Sequence, residues 1–266
     1  MRLAGKVAII TGAAGGQGVA EARAFAEEGA AVVLTDLRAD AGEELAASIR
    51  AAGGRAQYFQ HDVVDEGQWR HVVDETRKLF GGVHVLVNNA GTISRLSIEK
   101  TDIASWDRTM AVNLTGPMLG MKVAAPAMRD SGGGSIVNVS STAGLMPHHD
   151  AAYTASKWGL RGLSKTAAIE FVEWNIRVNS IHPAQIAETG FVREGLPGHA
   201  ESACQIIPMQ RLGTPQECAD LVLFLASDQS SYITGAEIAI DGGFSSGATQ
   251  WVRTRLRRDI AAQNKG

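Results

Sequence analysis

Val7-Ala8-Ile9-Ile10-Thr11-Gly12-Ala13-Ala14-Gly15-Gly16-Gln17-Gly18 decides the fold of this chain. Four consecutive apolar residues describe a strand buried on both faces, since a half-exposed strand would alternate. The glycines that follow permit a tight turn and close approach of backbone to a ligand, and helical periodicity begins near Gln17. A helix amino terminus behind such a turn offers unpaired N–H groups and a partial positive charge to an anion such as a pyrophosphate. Gly12, Gly16, Gln17 and Gly18 are therefore candidate cofactor residues. Asp36 follows Gly18 by 18 residues, at the end of the second apolar run, where a carboxylate meets the ribose hydroxyls of a dinucleotide. Its neighbour Leu37 falls in the same place.

The rest of the chain repeats this unit. Ala31–Leu34, Val83–Val87 and Ser135–Val139 are further continuous apolar runs, with Ile176–Ile181 and Glu237–Asp241 later, and a third strand ends just before His61. Stretches of helical period lie between them at 17 to 29, 40 to 52, 66 to 80, 102 to 129, 152 to 173 and 214 to 226. Strand and helix in strict alternation require crossover connections, hence a parallel sheet covered by helices on both sides. The expected fold is α/β, one doubly wound domain over residues 1–250 with a C-terminal extension over 251–266. The segment 184–210 breaks the rhythm with Gly190, Gly195, Pro197, Gly198 and Pro208, and its length marks it as a substrate loop. Its apolar residues Ile186, Phe191, Val192, Leu196, Ile206, Ile207 and Met209 point to a lipophilic substrate.

Composition excludes several classes. The 266 residues carry a net charge of −3 with 20% charged residues, which gives no electrostatic basis for binding nucleic acid. No apolar run approaches the roughly 18 residues of a spanning helix, so no membrane role is expected. Met1 to Lys6 runs straight into a strand without the pattern of a secretion signal, and a cytoplasmic protein is expected. Cys204 and Cys218 fall outside any metal-ligand spacing and are expected as reduced thiols. The adjacent pair His148 and His149 lacks a third ligand, so no metal is expected and both read as solvated loop residues.

Tyr153 and Lys157 supply the chemistry. In Tyr153-Thr154-Ala155-Ser156-Lys157 a phenol and an ammonium lie one helical turn apart and project from the same face. A free phenol titrates near 10, so bringing it to about 7 requires roughly 4 kcal/mol of preferential stabilisation of the phenolate. A nearby ammonium and a positive nicotinamide ring act in that direction. Asp36 disfavours a 2′-phosphate, at about 4 kcal/mol for like charges about 4 Å apart in an effective dielectric near 20, so NAD is expected over NADP. Arg38 is the competing feature, because a guanidinium two residues on can pair with that phosphate.

With these motifs in place, the chain resembles the short-chain dehydrogenase/reductase family over nearly its whole length. The resemblance rests on Thr11-Gly12-x-x-x-Gly16-x-Gly18, Asp62-Val63, Asn88-Asn89-Ala90-Gly91, Asn113, Ser141, Tyr153-x-x-x-Lys157 and Arg177-Val178-Asn179 leading to His182-Pro183. Residues 155–165, 231–237 and 241–243 look most like bacterial 3α,20β-hydroxysteroid dehydrogenases. The resemblance implies a Rossmann-like domain with a seven-stranded parallel sheet, a nicotinamide cofactor, no catalytic metal, and a homotetramer or homodimer. It implies Asn113, Ser141, Tyr153 and Lys157 as the catalytic set, with Asp62 at the adenine amino group and Val63, Asn89, Ala90, Gly91, Pro183 and Ile186 also beside the cofactor; Tyr153 and Lys157 reach it too. Counting back from Tyr153 selects Ser140 as the substrate-binding serine, whereas matching the strand end at Asn138-Val139-Ser140-Ser141 selects Ser141, the choice made here. Family members carry a threonine after Pro-Gly that contacts the nicotinamide amide; Pro183-Ala184-Gln185-Ile186-Ala187-Glu188-Thr189 departs from that, and Thr189 is left unassigned. The implied activity is interconversion of a secondary alcohol and a ketone, on a hydroxysteroid or another lipophilic cyclic substrate. A 3-oxoacyl-thioester reductase, a sugar dehydrogenase and a non-catalytic NAD sensor are the alternatives.

Overall fold

The computed structural model describes residues 1–195 and 197–264; Leu196 of the loop and residues 265–266 lie outside the described residues. Among the described residues the strands are β1 (Val7–Thr11), β2 (Ala31–Asp36), β3 (Arg55–Gln60), β4 (Val85–Asn88), β5 (Gly134–Val139), β6 (Ile176–Pro183) and β7 (Glu237–Ile240). They form one parallel seven-stranded sheet in the order β3-β2-β1-β4-β5-β6-β7, as the alternation of elements requires. β1 is central: Ile10 pairs with Leu34 of β2 on one side and with Val87 of β4 on the other. The order reverses between β1 and β4, and ligands of such sheets bind in the crevice that this switch point opens at the strands' carboxyl ends.

The helices are α1 (Gln17–Glu27), α2 (Ala39–Ala51), α3 (Glu66–Phe80), α4 (Ile103–Met110), α5 (Gly116–Asp130), α6 (Ala151–Glu170), α7 (Gly190–Arg193), α8 (His199–Ile206), α9 (Pro215–Ala226) and α10 (Phe244–Gln263). Strand parity sorts the core into two layers. Ala8 and Ile10 pack with Ala22, Phe25, Leu45 and Val222 of α1, α2 and α9 on one face. Ile9, Leu86 and Ile136 pack with Trp69, Val72 and Met128 of α3 and α5 on the other. Trp69, Phe25 and Met128 are fully buried, and each such side chain contributes roughly 1.5–3 kcal/mol relative to exposure. No described helix is long and apolar enough to cross a membrane.

Three local readings change. The stretch 102 to 129, expected as one helix, is α4, a π-helical turn over Ala111–Thr115, and α5. The Asn113 carboxamide causes the break by binding both backbone groups of Thr92, accepting from its N–H at 2.8 Å and donating to its carbonyl at 2.9 Å. The Gly116 N–H then reaches back five residues, to the Ala111 carbonyl. The segment 184–210 is not bare loop but carries α7 and α8. Residues 251–263 continue α10, so residue 250 falls inside a helix, and the Arg255 guanidinium donates to the Gln205 carbonyl and side chain on α8 at 3.1 and 3.0 Å.

Candidate active site

The glycine turn forms the floor of the crevice at the switch point. Gly16 caps α1 at φ 54°, a conformation that side chains resist, and no side chain caps the helix and no acidic residue occupies its first turn. The Gly18 N–H turns back to the Gly15 carbonyl at 3.2 Å, and the N-cap side chain occupies none of the other first-turn N–H groups, which leaves them for an anion. A Cβ on Gly18 would lie 2.4 Å from the Gly12 carbonyl oxygen, so any larger residue would push the turn apart. Asn89 ties this turn to β4, donating from Nδ2 to the Thr11 and Gly12 carbonyls at 3.0 and 3.1 Å. The Ala90 N–H bonds the Thr11 hydroxyl at 3.0 Å. Asp36 stands at the end of β2, accepting from the Ala14 and Arg38 N–H groups, each at 3.0 Å. The Arg38 guanidinium pairs with the same carboxylate at 3.3 Å and lies over Gly15.

Asp62, partly buried, turns inward after β3 and accepts from the Val64 N–H at 3.3 Å; Val63 is buried against Gly116. Leu37 is exposed beyond Asp36, and Pro183 and Ile186 are buried where β6 ends. A Cβ on Gly16 would lie 3.3 Å from Cγ2 of Thr189, so that threonine sits at the glycine turn.

Tyr153 lies in the first turn of α6, whose N-cap Asp150 accepts its N–H at 2.9 Å. Lys157, one turn on, is 3% exposed; its ammonium donates to the Val139 carbonyl at 2.9 Å and stands 5.7 Å from the Tyr153 ring centroid. Burial pushes this ammonium down to about 8. Burial also pushes the Tyr153 phenol up to about 12; the Ser141 hydroxyl acts against that shift and the Asp150 carboxylate adds to it. Burial thus outweighs the Ser141 hydrogen bond, and these side chains alone do not acidify the phenol. Asn113 is fully buried, donating to the Ser156 hydroxyl at 3.1 Å, and both its Oδ1 and the Lys157 Nζ lie within about 3.6 Å of where a Cβ on Gly91 would stand. The two serines part company: Ser140 Oγ donates to the Lys157 carbonyl at 3.3 Å on the inner side of α6, while Ser141 faces Tyr153.

Known proteins resemble this arrangement closely. A family model described as "Enoyl-(Acyl carrier protein) reductase" matches residues 12–245. Trans-4-hydroxycyclohexanecarboxylate dehydrogenase of Sinomonas cyclohexanicum is 46% identical, over 92% of this chain and 95% of its own length. The 3-alpha-(or 20-beta)-hydroxysteroid dehydrogenase of Mycobacterium tuberculosis is 41% identical, over 92% of each. A crystal structure of a short-chain type dehydrogenase/reductase from Mycobacterium marinum superposes with a TM-score of 0.86 at 35% identity, covering 92% of this chain and 97% of that one. The chain belongs to the short-chain dehydrogenase/reductase family.

It is accordingly an oxidoreductase of alcohol dehydrogenase type, from a family that uses a nicotinamide dinucleotide. The residues fit that cofactor: an uncapped α1 terminus for the pyrophosphate, glycines that leave it room, and a carboxylate at the ribose end. Among the described residues no three metal-ligating side chains group together.

The structure brings further side chains to Tyr153 in this dehydrogenase/reductase, of which Asp150 escaped the sequence reading. His148 is not a solvated loop residue: it is partly buried, packs edge-on to Tyr153 at 5.7 Å between centroids, and is pushed down to about 4 chiefly by that burial. His149 is exposed beside it. Asp150 accepts the tyrosine N–H and is itself held by the Ser94 and Arg95 N–H groups, and Phe191 of α7 lies 6.0 Å from the Tyr153 ring. The signal for Asp150 was present, as an acidic residue just ahead of a helical run. Ile207 and Met209 turn instead toward Gly242.

Proposed function

We propose that this chain is an NAD(H)-dependent dehydrogenase that interconverts a secondary alcohol and a ketone on a lipophilic cyclic substrate. The observation that carries the reading is the convergence of Tyr153, Ser141 and Lys157, with the Lys157 ammonium at Gly91 and the adjoining Ala90 packed on Gly12 of the glycine turn. When bound, the cofactor exchanges hydride with the carbinol carbon and, oxidised, brings a positive ring to the site. Tyr153 exchanges the proton with the substrate oxygen as general acid and base. Ser141 donates a hydrogen bond to that oxygen, orienting it and stabilising developing charge. Lys157 holds the nicotinamide ribose, and Asn113 lies beside the ammonium to carry the proton relay onward. Gly12, Gly16, Gln17, Gly18, Asp36, Leu37, Asp62, Val63, Asn89, Ala90, Gly91, Pro183 and Ile186 hold the rest of the cofactor.

NAD over NADP rests on Asp36. Its carboxylate faces the ribose end, and the one guanidinium nearby, Arg38, is already paired with it. A 2′-phosphate would have to break that pair and stand against a carboxylate. The substrate class rests on Phe191 against Tyr153 and on the cyclohexane ring and steroid in the relatives' names. The partners are thus a small-molecule alcohol or ketone and further copies of the chain, and the compartment is the cytoplasm.

NADH absorbance followed with alicyclic, steroid, aliphatic, sugar and thioester-linked substrates tests the reading. Turnover is expected on alicyclic alcohols with NAD, and Tyr153→Phe should lose at least about 10²-fold in kcat. Undiminished turnover in that variant, or equal efficiency with NADPH, would overturn the corresponding part. Tight NADH binding without turnover on any substrate would favour a sensor.

A further inference from the structure

Asp150 does more than cap α6. Its Oδ1 accepts the Tyr153 N–H, while its Oδ2 accepts the Ser94 N–H at 2.8 Å, the Ser94 hydroxyl at 2.8 Å and the Arg95 N–H at 2.5 Å. The residue is completely buried, so one carboxylate satisfies four donors away from water. Arg95 is held there at φ 58°, a left-handed backbone that costs a non-glycine residue on the order of 1–3 kcal/mol and persists only where its surroundings enforce it. From that position its guanidinium donates to the Phe191 carbonyl on α7 at 3.1 Å and lies 3.7 Å from the Glu194 carboxylate. The Phe191 ring in turn lies against Tyr153, which closes a circuit of four residues.

We propose that Asp150 and Arg95 form a strap that fastens α7 to the start of α6, so that one carboxylate sets both the tyrosine backbone and the position of Phe191 over the phenol. The proposal rests on the reading of Tyr153 as the proton-exchanging group. Asp150 and Arg95 are positioning residues; neither touches substrate. Phe191 is the specificity element they place, an aromatic face against which a substrate ring packs while its oxygen meets Tyr153 and Ser141. The Arg95–Glu194 pair adds little, because the glutamate is 73% exposed. The bond to the Phe191 carbonyl carries the connection.

A bare N-cap at Asp150 would leave α7 indifferent to Arg95, and amide hydrogen exchange separates the two cases. Arg95→Ala should speed exchange at residues 190–193 and raise KM for a cyclic alcohol about tenfold, with kcat and the KM for the dinucleotide moving far less. Arg95→Lys should recover part of that KM, since an ammonium can reach the same carbonyl with one donor. Asp150→Asn retains an acceptor for the Tyr153 N–H but turns an amide nitrogen toward the Ser94 and Arg95 donors, so exchange should quicken at 94–95 and at 190–193 together. Unchanged exchange and unchanged KM in Arg95→Ala would overturn the strap. Undiminished turnover in Tyr153→Phe would sink the proton-transfer reading alone, because the exchange measurement needs no activity.

Discussion

Tyr153 and Lys157 meet because four residues along a helix fix a shared face whatever the rest of the chain does. What that spacing could not reveal is the balance of forces on the phenol. Burial raises it to about 12, and only a fold shows that His148 and Phe191 pack against its ring. Ser140 and Ser141, just past the end of β5, make the same point, since neighbours in extended chain point to opposite sides and a count along the chain cannot say which meets the phenol. Ser141→Ala should lose on the order of 10²-fold or more in kcat, the scale seen when one donor to a developing oxyanion is removed. Ser140→Ala breaks a 3.3 Å bond to the Lys157 carbonyl and should affect stability more than turnover. Steady-state kinetics of the two variants decide between them, and a larger loss of turnover in Ser140→Ala would reverse the assignment. The contacts of Arg95 with Asp150 and Phe191, and of Thr189 with the glycine turn, were not legible in the sequence, because each joins segments far apart along the chain.

Elements were readable where burial was uniform. β1, β2 and β4 carry the unbroken apolar runs Val7–Ile10, Ala31–Leu34 and Val85–Val87 because helices cover both their faces. β3 reads Arg55-Ala56-Gln57-Tyr58-Phe59-Gln60, with only Ala56 and Tyr58 buried, since it lies at the edge of the sheet and one side of it stays wet. The π-turn was illegible for another reason: it answers to the Thr92 backbone, not to periodicity within 102 to 129. Helix α1 carries a further surprise in Glu21, fully buried toward α9 with neither carboxylate oxygen bonded. Burial pushes it up from 4.5 to about 8. The folded chain therefore binds a proton that the unfolded chain releases between those values, so stability from this group is complete at low pH and lost as pH rises towards 8. The loss approaches about 1.4 kcal/mol per pH unit across that window. Glu21→Gln, which cannot titrate, should gain on the wild type steadily from pH 5 to pH 8 in urea unfolding. A difference that stays constant over that range would show that Glu21 does not change its charge.

At the scale of the molecule, the sheet and its two helical layers follow from the alternation of apolar runs, but the outer surface does not. On α6 the side turned away from the sheet carries Trp158, Gly162, Thr166 and Ile169, all exposed and spaced along one face of the helix, with Val172 just beyond its end. Ile169 is 77% exposed, and Ile103 on α4, which packs beside α6, is 74% exposed. Large apolar side chains left exposed along one helix face are expected to be covered by another chain. A second copy is the economical occupant, because paired α6 helices would place the same residues on both sides, as an isologous contact requires. Covering these side chains recovers about 25 cal/mol for each Å² removed from water, and the pairing buttresses the helix that carries Tyr153 and Lys157. A dimer or tetramer is therefore expected in sedimentation equilibrium. Ile169→Glu should shift the population to smaller species and lower the midpoint of thermal unfolding, because both copies would bring a carboxylate into the strip. A wild-type chain that sediments as a monomer at micromolar concentration would overturn this, and so would a variant that assembles as the wild type does.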